Sequence, residues 1–282
     1  MKIGILADCL GLGFAGGVRR AAELGADGVQ LYAVEGELAP ENMSSEKRAW
    51  ARRIVRDAGI EISAICGDLG EGGFAFAEKN RGKIDYTKKI VELAVDLGCR
   101  IVTTHIGVVP HDVNHPRFQV IADALRELGA FAASAGAAFA IETGPEPAAD
   151  LRRMLEYVAS PGVKVNLDPA NLVMCTGDSA VDAVNTLRDY IVHTHAKDGV
   201  MFKRGDLDVM YGMTLAPADY DESAYCLEVP LGEGQVHFET YIPALRAIGY
   251  DGYLTIEREV GEDPARDIAL AIDFLKKYTG GK

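Results

Sequence analysis

Short runs of consecutive apolar and β-branched residues alternate along the chain with longer stretches in which apolar residues recur every three or four positions. The short runs read as strands buried on both faces, the longer stretches as amphipathic helices. Eight strand runs stand out: Lys2–Asp8, Gly28–Tyr32, Glu61–Gly67, Arg100–His105, Ala138–Thr143, Val163–Asp168, Ile191–Lys197 and Gly252–Glu259. Between them, IDYTKKIVELAVDLG places Ile84, Ile90, Val91, Leu93, Ala94 and Leu97 on one stripe and stops at Gly98. RFQVIADALRELGAFAASAG repeats the pattern. Eight strand–helix units without a break in composition predict an α/β fold, a (β/α)8 barrel forming one domain over residues 1–282. A doubly wound open sheet is the competing arrangement. It is disfavoured because CLGLGFAGG, after the first strand, lacks G-x-G-x-x-G spacing. The rhythm fails once, from Gly199 to His237, where Tyr211, Met213, Tyr220 and Tyr225 sit among Gly, Pro and Asp. This reads as an inserted loop, about 199–237, after strand seven. Its length and tyrosines predict that it covers the barrel mouth or meets a second subunit.

In such a barrel, ligands bind at the C-terminal ends of the strands. Those ends carry Asp8, Tyr32, Cys66, Asp68, His105, Glu142, Asp168, His195 and Glu257. Strands five to eight supply three carboxylates and an imidazole: Glu142, Asp168, His195 and Glu257. Such a set cannot stay ionised without a counter-charge, and one divalent metal ion supplies it. Three oxygen ligands and one nitrogen favour Mn²⁺ or Mg²⁺, with Co²⁺ or Zn²⁺ as further options. Each residue also has a plainer reading. A lone strand-end carboxylate is often a helix cap, and four on adjacent strands outweigh it. In IVHTHAKDG the alternation of a strand puts His193, His195 and Lys197 on one face. His193 then lies one layer deeper, either orienting ligands or filling the core. His105, Tyr32 and Asp68 are expected to contact substrate. Lys197 and Asp198 read either as a strand-end ion pair or as substrate contacts. Phe74 and Phe76 are candidate pocket caps, and His111, His115 and His237 read as loop residues.

Composition narrows the classes. A net charge of −13 argues against an extended nucleic-acid surface. The apolar stretches are too short to span a membrane. KIGILAD reads as a first strand and not a signal peptide, because Asp8 interrupts it and no A-x-A site follows. Five scattered cysteines without C-x-x-C spacing read as reduced thiols, which points to a cytoplasmic protein.

Taken together, IETGPEP, NLDPANL, HTHAKD and PLGEGQVHFETYIPALRAIGYDGYLTIERE resemble the xylose isomerase-like TIM barrels, in particular the sugar phosphate isomerase/epimerase group. Its members include ketose 3-epimerases, inosose isomerases and dehydratases, hydroxypyruvate isomerases and 3-dehydroshikimate dehydratases. The resemblance implies a metal held by Glu142, Asp168, His195 and Glu257, with Glu142 and Glu257 flanking the substrate as proton-transfer groups. It also marks a substrate position at Asn171, where ketose 3-epimerases usually carry histidine, and the chain departs from them again at Met201, where they carry arginine. The H-x-K-D pattern is more similar to the inosose and dehydratase branches. The implied activity is a metal-dependent isomerase or epimerase of a small carbohydrate, phosphorylated or not, or of a cyclitol, acting through a metal-stabilised enediolate. A dehydratase on the same site is the alternative. A homo-oligomer, dimer or tetramer, is implied, with neither nucleic acid nor membrane as partner. A non-catalytic sugar-binding subunit and an AP-endonuclease-type nuclease are weaker readings, the latter because six histidines and an acidic chain suit neither several zincs nor DNA.

Overall fold

The computed structural model describes residues 1–280. Residues 281 and 282, within the expected domain span, lie outside them. The strands are β1 (Lys2–Leu6), β2 (Gly28–Tyr32), β3 (Glu61–Cys66), β4 (Ile101–Thr104), β5 (Ala138–Glu142), β6 (Val163–Leu167), β7 (Ile191–Ala196), β8 (Asp198–Met201), β9 (Cys226–Val229) and β10 (Tyr253–Ile256). The helices are α1 (Gly13–Leu24), α2 (Ser45–Ala58), α3 (Ala77–Asp96), α4 (Pro116–Ser134), α5 (Ala148–Val158), α6 (Pro169–Thr176), α7 (Ala180–Leu187), α8 (Leu207–Met210), α9 (Phe238–Ala247) and α10 (Pro264–Thr279). Strands β1 to β7 and β10 close a parallel barrel in the order β1-β10-β7-β6-β5-β4-β3-β2. All eight expected barrel strands are present. Each expected run overshoots at its C-terminal end, except β2. At β1 the chain leaves the sheet after Leu6 and turns as a 3-10 segment, Ala7–Leu10.

Parallel strands are buried on both faces by the helix ring, which explains their near-continuous apolar runs. Val102, Ile141, Val165 and Leu254 are fully buried in this layer. The helices start where their caps allow. Ser44 accepts from Lys47 N–H ahead of α2, and Asp263 accepts from Arg266 N–H ahead of α10, with Pro264 at the first position.

The inserted segment departs from the expected irregular loop. β8 pairs antiparallel with β9, in the register Asp198↔Val229 to Met201↔Cys226. Between them lie α8 and a short 3-10 turn, Glu222–Ala224. The partners are only four residues long and far apart in sequence, so no local pattern announces them.

Candidate active site

The barrel interior below the mouth is a polar layer. Gln30 Nε2 donates to Thr103 Oγ1 at 3.0 Å, and His195 Nε2 lies 2.9 Å from Gln30 Oε1. Asn166 Oδ1 meets His193 Nδ1 at 2.8 Å, and His193 Nε2 meets Thr255 Oγ1 at 2.9 Å. Asn166 Nδ2 donates to Glu142 Oε2 at 3.2 Å. Buried polar groups are tolerated when their partners are all present, and such a network fixes orientation. Its consequence is a defined imidazole. The Gln30 amide spends its N–H₂ on Thr103 and turns its oxygen to His195 Nε2 at 2.9 Å, a closer partner than the Asn166 amide nitrogen at 3.2 Å, which favours the tautomer with the proton on Nε2. Nδ1 is left to face the mouth, ready to ligate. His193 thus acts through Asn166, one layer down, and never reaches the cavity.

Above this layer three carboxylates converge on His195 Nδ1: Glu257 Oε2 at 3.0 Å, Asp168 Oδ2 at 3.2 Å and Glu142 Oε1 at 3.4 Å. One ligand atom from each of the four residues lies within 4.8 Å of every other, and all four side chains are buried. Adjacent strands β5, β6, β7 and β10 supply them, which is why steps of one barrel unit in sequence become neighbours in space. Asp168 serves two purposes at once. Its Oδ1 caps α6 by accepting from Asn171 N–H at 2.8 Å, and its Oδ2 faces His195. The Thr143 hydroxyl ties the two strand ends together, donating to Asp168 O at 2.8 Å and accepting from Asp168 N–H at 2.9 Å.

The electrostatics are those of a cation site. Burial raises the Asp168 carboxyl to about 6, against the opposing hydrogen bond from His195 and the charge of Lys197. Burial also opposes the charged form of Glu257, yet Lys197 and His195 hold it well below the ordinary carboxylate range. Burial would depress His195, but Glu257 and Glu142 hold it well above the ordinary imidazole value. A positive charge is demanded where Nδ1 sits, and a hard divalent ion with oxygen ligands and one imidazole fits that donor set.

A cavity of about 530 Å³ opens above the cluster. Tyr32, Asp68, His105, Asn171 and Lys197 line it, together with Glu142 and Glu257. His105 Nδ1 is 2.8 Å from Asp68 Oδ2, and its Nε2 is 3.7 Å from Glu142 Oε1. Burial lowers the His105 imidazole, but Glu142 and Asp68 prevail and set it at about 9. Asn171 Nδ2 donates to Glu142 Oε1 at 3.3 Å. Lys197 Nζ meets Glu259 at 2.9 Å, Glu257 at 3.2 Å and Glu228 at 3.4 Å. The insert supplies one wall through Met210, Tyr211, Glu222 and Glu228. Tyr211 packs on His105 at 5.4 Å between ring centroids. Gly144 makes room for it, because a Cβ there would lie 2.6 Å from the Tyr211 hydroxyl and 2.5 Å from Asn171 Cβ.

A protein-family model described as the xylose isomerase-like TIM barrel matches residues 18–278. The chain belongs to that family. It is 25% identical over 272 residues to the L-ribulose-5-phosphate 3-epimerase UlaE of Salmonella paratyphi C, covering 92% of this chain and 87% of that one. Among solved structures it is similar to a xylose isomerase domain protein from Planctomyces limnophilus, with a TM-score of 0.79, 26% identity, and coverage of 99% of this chain and 98% of the other. It is also similar to a D-psicose 3-epimerase crystallised in the presence of D-fructose, with a TM-score of 0.74, 18% identity and full coverage of both chains.

Within this family barrel, two expectations change. Asp198 does not face the cavity. Its carboxylate accepts from the backbone N–H groups of Gly199, Gly232, Gly234 and Val236 at 2.9 to 3.1 Å, so it anchors the insert. Phe74 and Phe76 do not cap the pocket either. Phe74 packs edge-on against Phe139, and Lys79 lies over Phe76. Tyr211 reaches the cavity as the tyrosines of the insert led one to expect, whereas Gln30, Asn166, Glu228 and Glu259 join the site without having been singled out from the sequence. A lone polar residue inside an apolar strand, as in GVQLY and VKVNL, is the signal that points to Gln30 and Asn166.

Proposed function

We propose that the protein is a divalent-metal-dependent isomerase or epimerase of a small carbohydrate or cyclitol, with Glu142 and Glu257 moving a proton on carbon beside a carbonyl. The observation that carries this reading is the pair itself: two glutamates from strands three apart, flanking one cation-demanding cluster on the floor of a cavity of about 530 Å³. Kinship with a 3-epimerase at 25% identity supports it. An ion held by Glu142, Asp168, His195 and Glu257, Mn²⁺ ahead of Mg²⁺, Co²⁺ or Zn²⁺, supplies Lewis-acid polarisation of the substrate carbonyl. Glu257, kept ionised by Lys197 and His195, takes the proton on one face. Glu142, approached by the amides of Asn166 and Asn171, delivers a solvent-derived proton on the other, and Glu257 then releases its own to solvent. Glu257 meets His195 and Lys197 through Oε2 and keeps Oε1 for that work, whereas both oxygens of Glu142 accept from amides, Oε1 being the one that faces the cluster. Tyr32, Asp68, His105, Asn171 and Lys197 position the substrate hydroxyls.

The insert, about 199–237, acts as a wall on a single barrel domain in this reading. It also offers Phe202 and Leu215, 59% and 97% exposed, to a second copy in a dimer or tetramer. The five free thiols suit a cytoplasmic setting. Among the described residues no helix is long and apolar enough to cross a membrane.

NMR of product formed in D₂O from an accepted ketose or inosose tests the mechanism. Deuterium appears at the reacting carbon, and Glu142→Gln and Glu257→Gln each lose turnover with metal content checked. Product free of deuterium, or near wild-type conversion by either variant, contradicts it.

A further inference from the structure

The charges around the cavity point to a narrower substrate class. We propose that the ligand is an uncharged polyhydroxy carbonyl compound and not a phosphate ester or carboxylate. The carbonyl part rests on the reading just given, whereas the charge preference stands on the cavity alone.

The walls and floor carry the carboxylates of Asp68, Glu142, Asp168, Glu222, Glu228, Glu257 and Glu259. Against these stand the Lys197 ammonium, the His105 imidazole and the two charges that a divalent ion would bring. The balance stays negative, so a dianionic phosphate meets repulsion that a neutral hydroxyl does not.

Phosphate sites need cations or backbone N–H groups to spare, and here the lysine that lines the cavity and the amides of the segment after β7 are committed. Lys197 is the one Lys or Arg lining the cavity among the described residues, and three carboxylates surround its Nζ at 2.9 to 3.4 Å. Nearby, Arg258 is held by Glu228 and Asp267, each at 2.8 Å. Arg117 is bidentate on Asp208 at 2.8 and 3.1 Å. Lys83 donates to the carbonyls of Gly70 and Gly73 at 2.7 and 2.8 Å.

The backbone donors tell the same story. In (β/α)8 barrels the loops after the last two strands frequently cradle phosphate with their amides. Here the amides of Gly199, Gly232, Gly234 and Val236, in the segment after β7, already converge on a carboxylate. Asp198 thereby takes these donors from any external anion. A Cβ on Gly234 would lie 2.2 Å from Asp198 Oδ1, a measure of how closely the backbone wraps it. What the cavity does offer suits hydroxyl groups: carboxylate oxygens that accept from them, and Asn171, His105 and Ser223 as mixed partners.

The test compares matched pairs on the metal-loaded enzyme: D-fructose with D-fructose 6-phosphate, D-ribulose with D-ribulose 5-phosphate, and inorganic phosphate as a charge-only probe. Binding is read by NMR titration and turnover by deuterium exchange. The free sugar of a pair is expected to bind at least about 100-fold more tightly than its ester at low salt, with inorganic phosphate displacing nothing. Glu222→Lys, which places a cation on the wall, narrows the gap to about tenfold. An ester that binds as tightly as its free sugar overturns the proposal, and so does a gap unmoved by Glu222→Lys. Preferential binding of the free sugar without exchange in either member leaves the charge preference standing and removes the proton-transfer reading instead.

Discussion

The floor of the cavity and its inserted wall are built on opposite plans. The floor comes from the ends of β5, β6, β7 and β10, where Asp168 and His195 are 0% and 1% exposed and each is tied to neighbours from other strands. The wall, from Asp198 to Val236, is a two-stranded ribbon, a four-residue helix and connecting chain. It is folded around one internal carboxylate, Asp198, and it meets the barrel through the Arg117–Asp208 pair, through Glu228 with Lys197 and Arg258, and through packing of β8 and β9 on α6. Rigid strand ends keep reacting groups in place, whereas a peripheral segment can change shape and charge without disturbing them. We read chemistry in the floor and substrate choice in the wall.

Several substitutions would break or sharpen that contrast. The largest effect belongs to Glu142→Gln and Glu257→Gln, each expected to lower kcat by about 1000-fold while the fold persists, since positioned acid–base groups contribute that order. Steady-state kinetics with thermal unfolding as control decides it.

Next is Glu146, close in sequence to Glu142 but turned away from the cavity. It is 1% exposed, its Oε2 accepts from Val109 N–H, and its Oε1 has no partner. Burial raises its carboxyl to about 8. The folded state therefore holds a proton that the unfolded chain releases near its ordinary value. The resulting stability is fully present below the ordinary carboxylate value and is lost progressively as pH rises from there, the loss being complete above about 8. Glu146→Gln should be roughly 5 kcal/mol more stable than the parent at pH 9 and nearly equal to it at pH 4, by denaturant unfolding. Equal stability at pH 9 would remove the inference that this carboxyl is neutral in the fold.

Gln30→Leu tests whether the floor works through its second layer. Losing the acceptor on His195 Nε2 should weaken metal affinity about 10- to 100-fold with little change in the barrel. The smallest effect on chemistry is assigned to Asp198→Ala. It strands four backbone N–H groups and should cost about 2 kcal/mol of stability and raise KM, while metal affinity stays at the parent value. A large loss of metal in that variant would mean that floor and wall are not separable.

The two regions also differ in how far the sequence announces them. All eight barrel strands were readable because a strand covered on both faces must be apolar throughout, and that pattern is local. The four cluster residues were readable because titratable groups at successive strand ends recur at barrel-unit spacing. The polar layer beneath was not, since the partnership of Gln30 with Thr103 and His195 depends on strand register around the closed barrel. The wall was least readable. β8 and β9 pair across the intervening chain, and the Asp198 carboxylate is claimed by amides as many as 38 positions away. Its strand-end position suggested a ligand contact, and only the fold of the insert turns it into an anchor.

The central claim is that Glu142, Asp168, His195 and Glu257 hold one divalent ion. Titration of the purified protein with Mn²⁺, following the free ion by electron paramagnetic resonance, tests it without reference to turnover. The account predicts one tight site per chain in the parent and its loss in His195→Ala at matched free Mn²⁺, with the variant still folded. Equal occupancy of the two proteins would contradict it.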